Sequence, residues 1–356
     1  IYWFFNLKNQ IFNNLFYTEL LPLSALTGTF IQTIIQVYET YKIGLLKFRF
    51  NLKKSFSEET RILNLIIPSC LSSGLGQINV FVDMFFASSF KGAASGLAYG
   101  NFLIQAPLGI VSSTLILPSL TKFSKLISKK NYQELNRFII SNIEYCLLVT
   151  FLMMGFFICF NDIIVDLVFQ RGAFNLQSAI IVKNILIAYA FGLPAYLLRD
   201  LLVRIYYSIE ETNLPFKLSL FGICLNFLCD WILIGAPIRG NDNILSFNFG
   251  VVGLVLSSGI VNFIICIILS LELKKFIKGL PHLFLLCKTT LILISCIFSM
   301  IISHYIFNFY NPDLNELIKL ATILIGSTFY FLLYFYTTKI FKVNKLKLNF
   351  LKPHFL

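Results

Sequence analysis

The sequence predicts an all-α fold, a polytopic membrane helix bundle, on three observations. Of the 356 residues, 57% are hydrophobic and only 13% charged, whereas a soluble domain needs about a quarter of its residues charged to cover a water-facing surface. Mean hydropathy is +0.78. The apolar residues gather into about nine long runs, and the charges collect between those runs. A soluble enzyme, a disulfide-rich secreted module and a disordered chain are excluded on this composition. The net charge of +12 suits a nucleic-acid partner only where basic residues share one face of a folded domain. Here they are spread over the connecting segments, so the expected partner is the lipid bilayer and not nucleic acid.

A transmembrane helix takes about 20 mainly apolar residues. The runs fall at about 20–38, 62–89, 95–119, 137–160, 178–208, 213–235, 247–272, 284–308 and 314–341. Several exceed the minimum, so tilt or emergent ends are expected. Pro68, Pro107, Pro118 and Pro194 lie within them, where neighbouring helices can satisfy the freed carbonyls. Between Phe160 and the fifth run, Asp162–Phe174 is too short and too charged to span, and fits an interfacial helix ending in a glycine turn.

Loop charges set the orientation, because cytoplasmic loops carry an excess of Lys and Arg. One alternating set of segments, from Lys42 to Arg61, Lys122 to Arg137, Arg204 and Lys217, Lys274 to Lys288, and Lys339 to Lys352, holds 22 basic residues. The other set holds 5, namely Lys8, Lys91, Arg171, Arg239 and Lys319. The C-terminus is therefore expected in the cytoplasm and the start of the chain outside. With Ile at position 1 and no signal-peptide pattern before the first run, an interior starting point is expected, with Ile1–Phe5 as the outer end of a preceding helix. The eight cysteines, Cys70, Cys146, Cys159, Cys224, Cys229, Cys266, Cys287 and Cys296, all sit in apolar stretches with no C-x-x-C pair. They read as small buried hydrophobes, not as a metal site or disulfide framework.

Ionisable and polar groups inside the spans are the functional candidates, since each costs about 2.5 to 3.5 kcal/mol at a helix centre on insertion scales. Glu144 and Lys183 stand within snorkelling reach of an interface, or are functional. Arg199, Asp200 and Arg204 cluster near the inner end of the fifth run, where Asp200 and Arg204, four apart, can pair on one helix face. That cluster suits a structural or gating salt bridge, or substrate contact. Asp83 and Asp230 lie about 8 to 9 Å below the outer ends of their runs at about 1.5 Å per residue, so they can meet at one level. Asn226, four residues before Asp230, shares its helix face, and Ser257 and Ser258 can add hydroxyls from the next run. Two carboxylates, an amide and a hydroxyl suit a small hard cation. The alternative is two carboxylates that reach water or donors separately. Gln77, Asn79, Asn101 and Gln105 either tie helices together or line a cavity. Neither His-Glu-x-x-His, Walker A nor G-x-S-x-G occurs, and His282, His304 and His354 are isolated, so no enzyme and no catalytic residue is expected.

Specific strings then carry a resemblance. Leu75-Gly76-Gln77-Ile78-Asn79-Val80-Phe81-Val82-Asp83-Met84-Phe85-Phe86-Ala87-Ser88, Gln105-Ala106-Pro107-Leu108-Gly109-Ile110, Leu117-Pro118-Ser119-Leu120, Phe169-Gln170-Arg171-Gly172-Ala173-Phe174 and Arg199-Asp200-Leu201-Leu202-Val203-Arg204 occur in order. Together they resemble the lipid II flippases of the MurJ (MviN) family, within the multidrug/oligosaccharide-lipid/polysaccharide (MOP) exporter superfamily, with a cyanobacterial or plastid flavour.

The resemblance implies fourteen transmembrane helices in two six-helix lobes plus a C-terminal pair. The nine runs here then correspond to the sixth to fourteenth helices of an N-terminally truncated chain. Residues 1–61 would end the first lobe, 62–272 form the second lobe, 284–341 form the pair that grooves the lipid tail, and 342–356 a basic cytoplasmic tail. It implies a flippase that moves lipid II, the undecaprenyl-diphosphate-linked peptidoglycan precursor, to the outer leaflet by alternating access for cell wall synthesis. The location would be the bacterial inner membrane, or alternatively a plastid inner envelope membrane. It also implies a sodium site at Asp83, Asn226 and Asp230, with Na+ or H+ as coupling ion and no other cofactor. A family cavity arginine maps to Phe102, where Asn101 and Gln105 can offer hydrogen bonds but no charge. Because rocking needs two lobes, these nine helices alone are not expected to transport. A flippase for another polyprenyl-linked glycan, or a non-transporting membrane fragment, are the alternatives.

Overall fold

Long apolar runs in this chain fold as helices because only a helix satisfies all its own backbone groups where water is absent. A computed structural model describes residues 14–44, 66–67, 74, 77–170, 174–234, 249–276, 282–307 and 316–341, and the regular elements among these are helices. The chain divides into two units, Ile1–Thr60 and Arg61–Leu356. The first unit contributes helix α1, Asn14–Lys42. Its described side chains are exposed apart from Thr40, which is half-buried.

The second unit carries α2 (Gln77–Ala87), α3 (Ala93–Ser128), α4 (Tyr132–Cys159), α5 (Asn161–Phe169), α6 (Leu176–Ser208), α7 (Asn213–Ile234), α8 (Val251–Phe276), α9 (His282–Phe307) and α10 (Glu316–Ile340). Seven of these, α3, α4 and α6 to α10, are long and apolar enough to cross a membrane among the described residues. The run expected at 62–89 is described as a helix from Gln77 to Ala87, with most of its earlier part outside the described residues. Cys70 and Pro68 fall there. The run at 20–38 forms α1, whose described part is diluted by Thr27, Thr29, Gln32, Thr33 and Gln36.

Local signals explain the breaks. Gly92, at φ 79°, makes the turn into α3, a left-handed conformation that glycine adopts without Cβ strain. Asn131 caps α4, accepting from the Glu134 N–H at 3.3 Å while its amide donates to Glu134 Oε2 at 2.9 Å. This reciprocal pairing satisfies donors a helix start leaves open. Asn175 caps α6 through a single bond, its side-chain oxygen accepting from the Ser178 N–H at 2.9 Å. Helix α3 runs nine residues beyond the expected end at 119, because Pro118 sits in the first turn of a segment, Leu117–Ser128, that continues as helix with Phe123 and Leu126 buried. A π-helical turn, Ser112–Ile116, interrupts α3 after Pro107. Such turns concentrate at functional positions.

Helix α6 is the hub, packing against α3, α4, α5 and α8. It meets α8 where Gly192 faces Gly259, close enough that a Cβ on either would touch the other's Cα at about 3.5 Å. Small residues at such crossings let helix backbones approach within a bilayer, where packing replaces the hydrophobic drive. The pair α9 and α10 packs together and lies against α4, with α10 also on α5. Two apolar cores result. The larger centres on Phe123, Ile139, Leu186, Leu197 and Tyr206. The smaller, with Phe86, Leu97, Ile185, Ile234 and Leu254, joins the C-terminal ends of α2 and α7 to the N-terminal parts of α3, α6 and α8.

Three sequence expectations are corrected here. Glu144 does not snorkel: it is buried in α4 and pairs with Lys288 of α9. Lys288 therefore belongs to a span and not to a cytoplasmic loop, because α9 begins at His282. Lys183 likewise binds protein, pairing with Asp162 at 3.1 Å and with buried Asp166 at 3.0 Å of α5. The cysteines divide: Cys146, Cys266 and Cys296 are buried as expected, while Cys224 and Cys287 are exposed, consistent with lipid-facing positions on a bundle surface.

Candidate functional site: a polar cavity with an acidic end and a basic end

Beneath the smaller core lies a cavity of about 450 Å³ walled by α2, α3, α6, α7 and α8. The expected positions Gln77, Asn79, Asp83, Asn101, Gln105 and Arg199 all line it. Gln105 donates to Asn101 at 3.3 Å, one turn away on α3. Phe102 is 68% exposed and is not among the lining residues, so α3 gives the cavity amides but no charge. Asp200 and Arg204, expected to line the cavity, do not. Their reason is mutual: Arg204 pairs with Asp200 at 3.3 Å, and Asp200 also accepts from Ser112 of the π-helical turn at 3.3 Å.

At the end next to the smaller core the acidic residues converge as the spacing predicts. Asn226 and Asp230 share one face of α7 and are fully buried. Asn226 Nδ2 donates to Asp83 Oδ1 at 2.9 Å and to Asp230 Oδ2 at 3.0 Å, joining α2 to α7. From α8, Ser257 donates to Asp230 Oδ1, and Ser258 donates to Asn226 Oδ1 at 3.2 Å. Five side chains from three helices thus form one hydrogen-bonded cluster, with the Asn226 carboxamide at its centre. No group of three His, Cys, Asp or Glu suited to a metal occurs among the described residues. With two carboxylates, an amide and a hydroxyl, the donor set fits a small hard cation better than a soft one. The carboxamide turned Nδ2-first toward both carboxylates occupies the position of positive charge, and its reversal would offer Oδ1 instead, an exchange equivalent in shape.

The other end is basic. Arg199 of α6 donates to Asn262 Oδ1 of α8 at 2.8 Å and to Ser219 Oγ of α7 at 3.5 Å. Asn262 and Ser219 were missed by the sequence reading. An Asn or Ser in an apolar run reads as helix glue, and the only signal was that Asn262 lies four residues after Ser258. Tyr189 and Tyr196 also line the cavity and carry no sequence signal apart from their places on α6.

Against known proteins, residues 3–347 match the family described as "Lipid II flippase MurJ". The chain belongs to the MurJ lipid II flippase family. Among curated members, one from Synechocystis sp., named "Probable lipid II flippase MurJ", is 34% identical over 253 residues, covering 71% of this chain and 45% of that protein. One of the same name from Rickettsia prowazekii is 32% identical, covering 45% of this chain and 31% of its own length. The chain spans about half the length of the first of these curated relatives. In fold it is similar to a solved lipid II flippase MurJ in an inward closed conformation, with a TM-score of 0.63 and 24% identity over 88% of this chain and 61% of that one. A solved MATE structure, in complex with MaL6, shares the architecture more distantly, with a TM-score of 0.52, 12% identity, and coverage of 78% and 64%. The family consists of transporters and not of enzymes, and its members are polytopic membrane proteins.

Proposed function

We propose that this family member takes part in moving lipid II from the cytoplasmic to the outer leaflet of a bacterial inner membrane, by alternating access. One observation carries the reading: the family match extends over residues 3–347, and the helices it covers enclose a polar cavity holding Asp83 and Arg199. A polar space at bilayer depth is costly unless it serves a substrate or ion pathway, and midplane cavities between repeats are where secondary transporters bind cargo. The C-terminus on this reading is cytoplasmic, and the precursor's lipid tail lies along α9 and α10. Asp83, Asn226 and Asp230, with Ser257, would hold a sodium ion, which supplies the gradient energy for the cycle. The protein's own part is to hold those oxygens at fixed spacing across α2, α7 and α8.

The test is a bacterium depleted of its own lipid II flippase. Expression of this chain joined behind the first-lobe helices of its Synechocystis relative should make lipid II accessible to an externally added lipid II-cleaving enzyme. No gain over the depleted strain, with the protein present in the membrane, overturns the reading. Rescue of capsule or O-antigen export in a strain lacking that export, without rescue of lipid II exposure, would assign the chain to another polyprenyl-linked glycan.

A further inference from the structure

Helix α3 changes its geometry part-way along, and its two halves answer to different neighbours. Ala93–Val111 is α-helical, Ser112–Ile116 forms the π-helical turn, and Leu117–Ser128 is α-helical again. About 18 residues make five turns of an uninterrupted α-helix, so residues at that separation share one face. Asn101 and Ser119 have that separation, as do Gln105 and Phe123. Yet Asn101 and Gln105 line the cavity, whereas Ser119 donates to Asn142 Oδ1 of α4 at 2.6 Å and the Phe123 ring packs on Phe138 of α4 at 5.1 Å. The additional residue that a π turn holds rotates one half against the other by about 100°. Because of the turn, one helix is a cavity wall in its first half and a buried strut in its second.

The backbone around the turn is weakly held. Pro107 and Pro118 bracket it and lack the N–H that would close on the carbonyls one turn earlier, those of Leu103 and Thr114. Ser113 and Thr114 both fold their hydroxyls back on Ile110 O, at 3.1 and 2.6 Å, and such contacts compete with backbone bonds and bend helices. Gly109, Ile110, Ser113 and Thr114 are exposed, and a Cβ added at Gly109 would meet no atom within 4 Å. Bending toward that side breaks no packing.

The two ends of α3 are seated firmly by comparison. At the first, a Cβ on Gly100 would stand 2.6 Å from Ile185 Cγ2 of α6; at the second, Phe123 and Leu126 are buried. Between them, the polar tie from the turn to another helix is one bond among the described residues. Ser112 donates to Asp200 Oδ2 of α6 at 3.3 Å. Arg204 pairs with the other oxygen, Asp200 Oδ1, at 3.3 Å, which fixes the carboxylate and leaves Oδ2 for the serine.

We infer that Ser112–Ile116 is a hinge in α3, and that the Ser112–Asp200 bond is the latch that holds the cavity-lining half of the helix in its present register. The hinge works alike whichever cargo the cavity takes, so its failure would leave the flippase reading standing. The full chain in phosphatidylcholine nanodiscs is followed by hydrogen–deuterium exchange, which reports local opening. Ser112→Ala should raise exchange at 105–116 by about threefold to tenfold, the effect of removing one hydrogen bond, while 119–128 and α4 keep the wild-type rate. Ser112→Thr, which retains the hydroxyl, should exchange like the wild type. Gly109→Ala, which enters open space and lessens backbone freedom, should slow exchange at 105–116 when added to Ser112→Ala. Wild-type exchange at 105–116 in Ser112→Ala overturns the latch. A rise spread equally over 119–128 and α4 overturns the hinge, since it marks a loss of stability of the whole bundle. Exchange at 105–116 that Gly109→Ala does not slow also overturns the hinge, because a bending backbone must feel that restriction.

Discussion

Asn226 is the residue on which the acidic end depends, because one carboxamide satisfies two carboxylates and two hydroxyl groups approach its oxygen. The spacing of Asp83, Asn226, Asp230 and Ser257 was legible in the sequence because helix periodicity and depth are both set by counting residues. Asn262 and Ser219 were not legible, since their role depends on which face α8 and α7 turn to α6. If the site holds sodium, binding stabilises the folded state by an amount that grows with ligand concentration. Exchange of choline chloride for sodium chloride should therefore raise the unfolding temperature of the wild type, and Asp230→Asn should abolish that rise. An equal sodium-dependent shift in Asp230→Asn removes the ion site. The same region predicts a steric effect at Gly253, where an added Cβ would stand 2.7 Å from Leu233 O. That atom is backbone and cannot swing aside, so α7 and α8 must separate next to Asp230. Gly253→Ala should cost about 1–3 kcal/mol, the range for overpacking, measured as a lower unfolding temperature with a weakened sodium shift.

Among the elements, α9 and α10 attach to the lobe through polar links inside apolar surroundings. Tyr334 donates to Leu148 O of α4 at 3.0 Å, and Lys288 of α9 pairs with Glu144 of α4. The helices themselves were legible as apolar runs, but this link was not, because Lys288 borders a basic stretch and looked like part of the loop. The extension of α3 to Ser128 was hidden by the same mixing of Lys122 and Lys125 with loop charges, and the π-helical turn leaves no periodic trace that a count of apolar positions detects. Breaking a buried pair strands a charge at a cost of about 3–5 kcal/mol, whereas replacing both partners by apolar side chains is often neutral or stabilising. Glu144→Leu and Lys288→Met should each lower the unfolding temperature, and the double variant should recover most of the loss. Additive losses in the double variant would show that the two residues act separately. On the proposed function, the double variant also separates anchoring from transport, since it keeps the C-terminal pair docked without the ionic link.

At the scale of the whole chain, the asymmetry of charge is the feature that orders everything else. Segments carrying 22 basic residues alternate with segments carrying 5, and correcting Lys288 to a span position moves one residue and leaves the asymmetry intact. Orientation decides what the two ends of the cavity mean, because Arg199 faces the side of substrate entry only if the basic segments are cytoplasmic. The turn at Lys91, between α2 and α3, and the turn at Lys129, between α3 and α4, bracket one span and are both exposed. In a background with Cys224 and Cys287 changed to Ser, Lys91→Cys should react with a membrane-impermeant maleimide on intact cells. Lys129→Cys should react only after the membrane is permeabilised. The reverse pattern would place the acidic end of the cavity on the cytoplasmic side, and Arg199 would then face the outer leaflet, where a precursor leaves and does not enter.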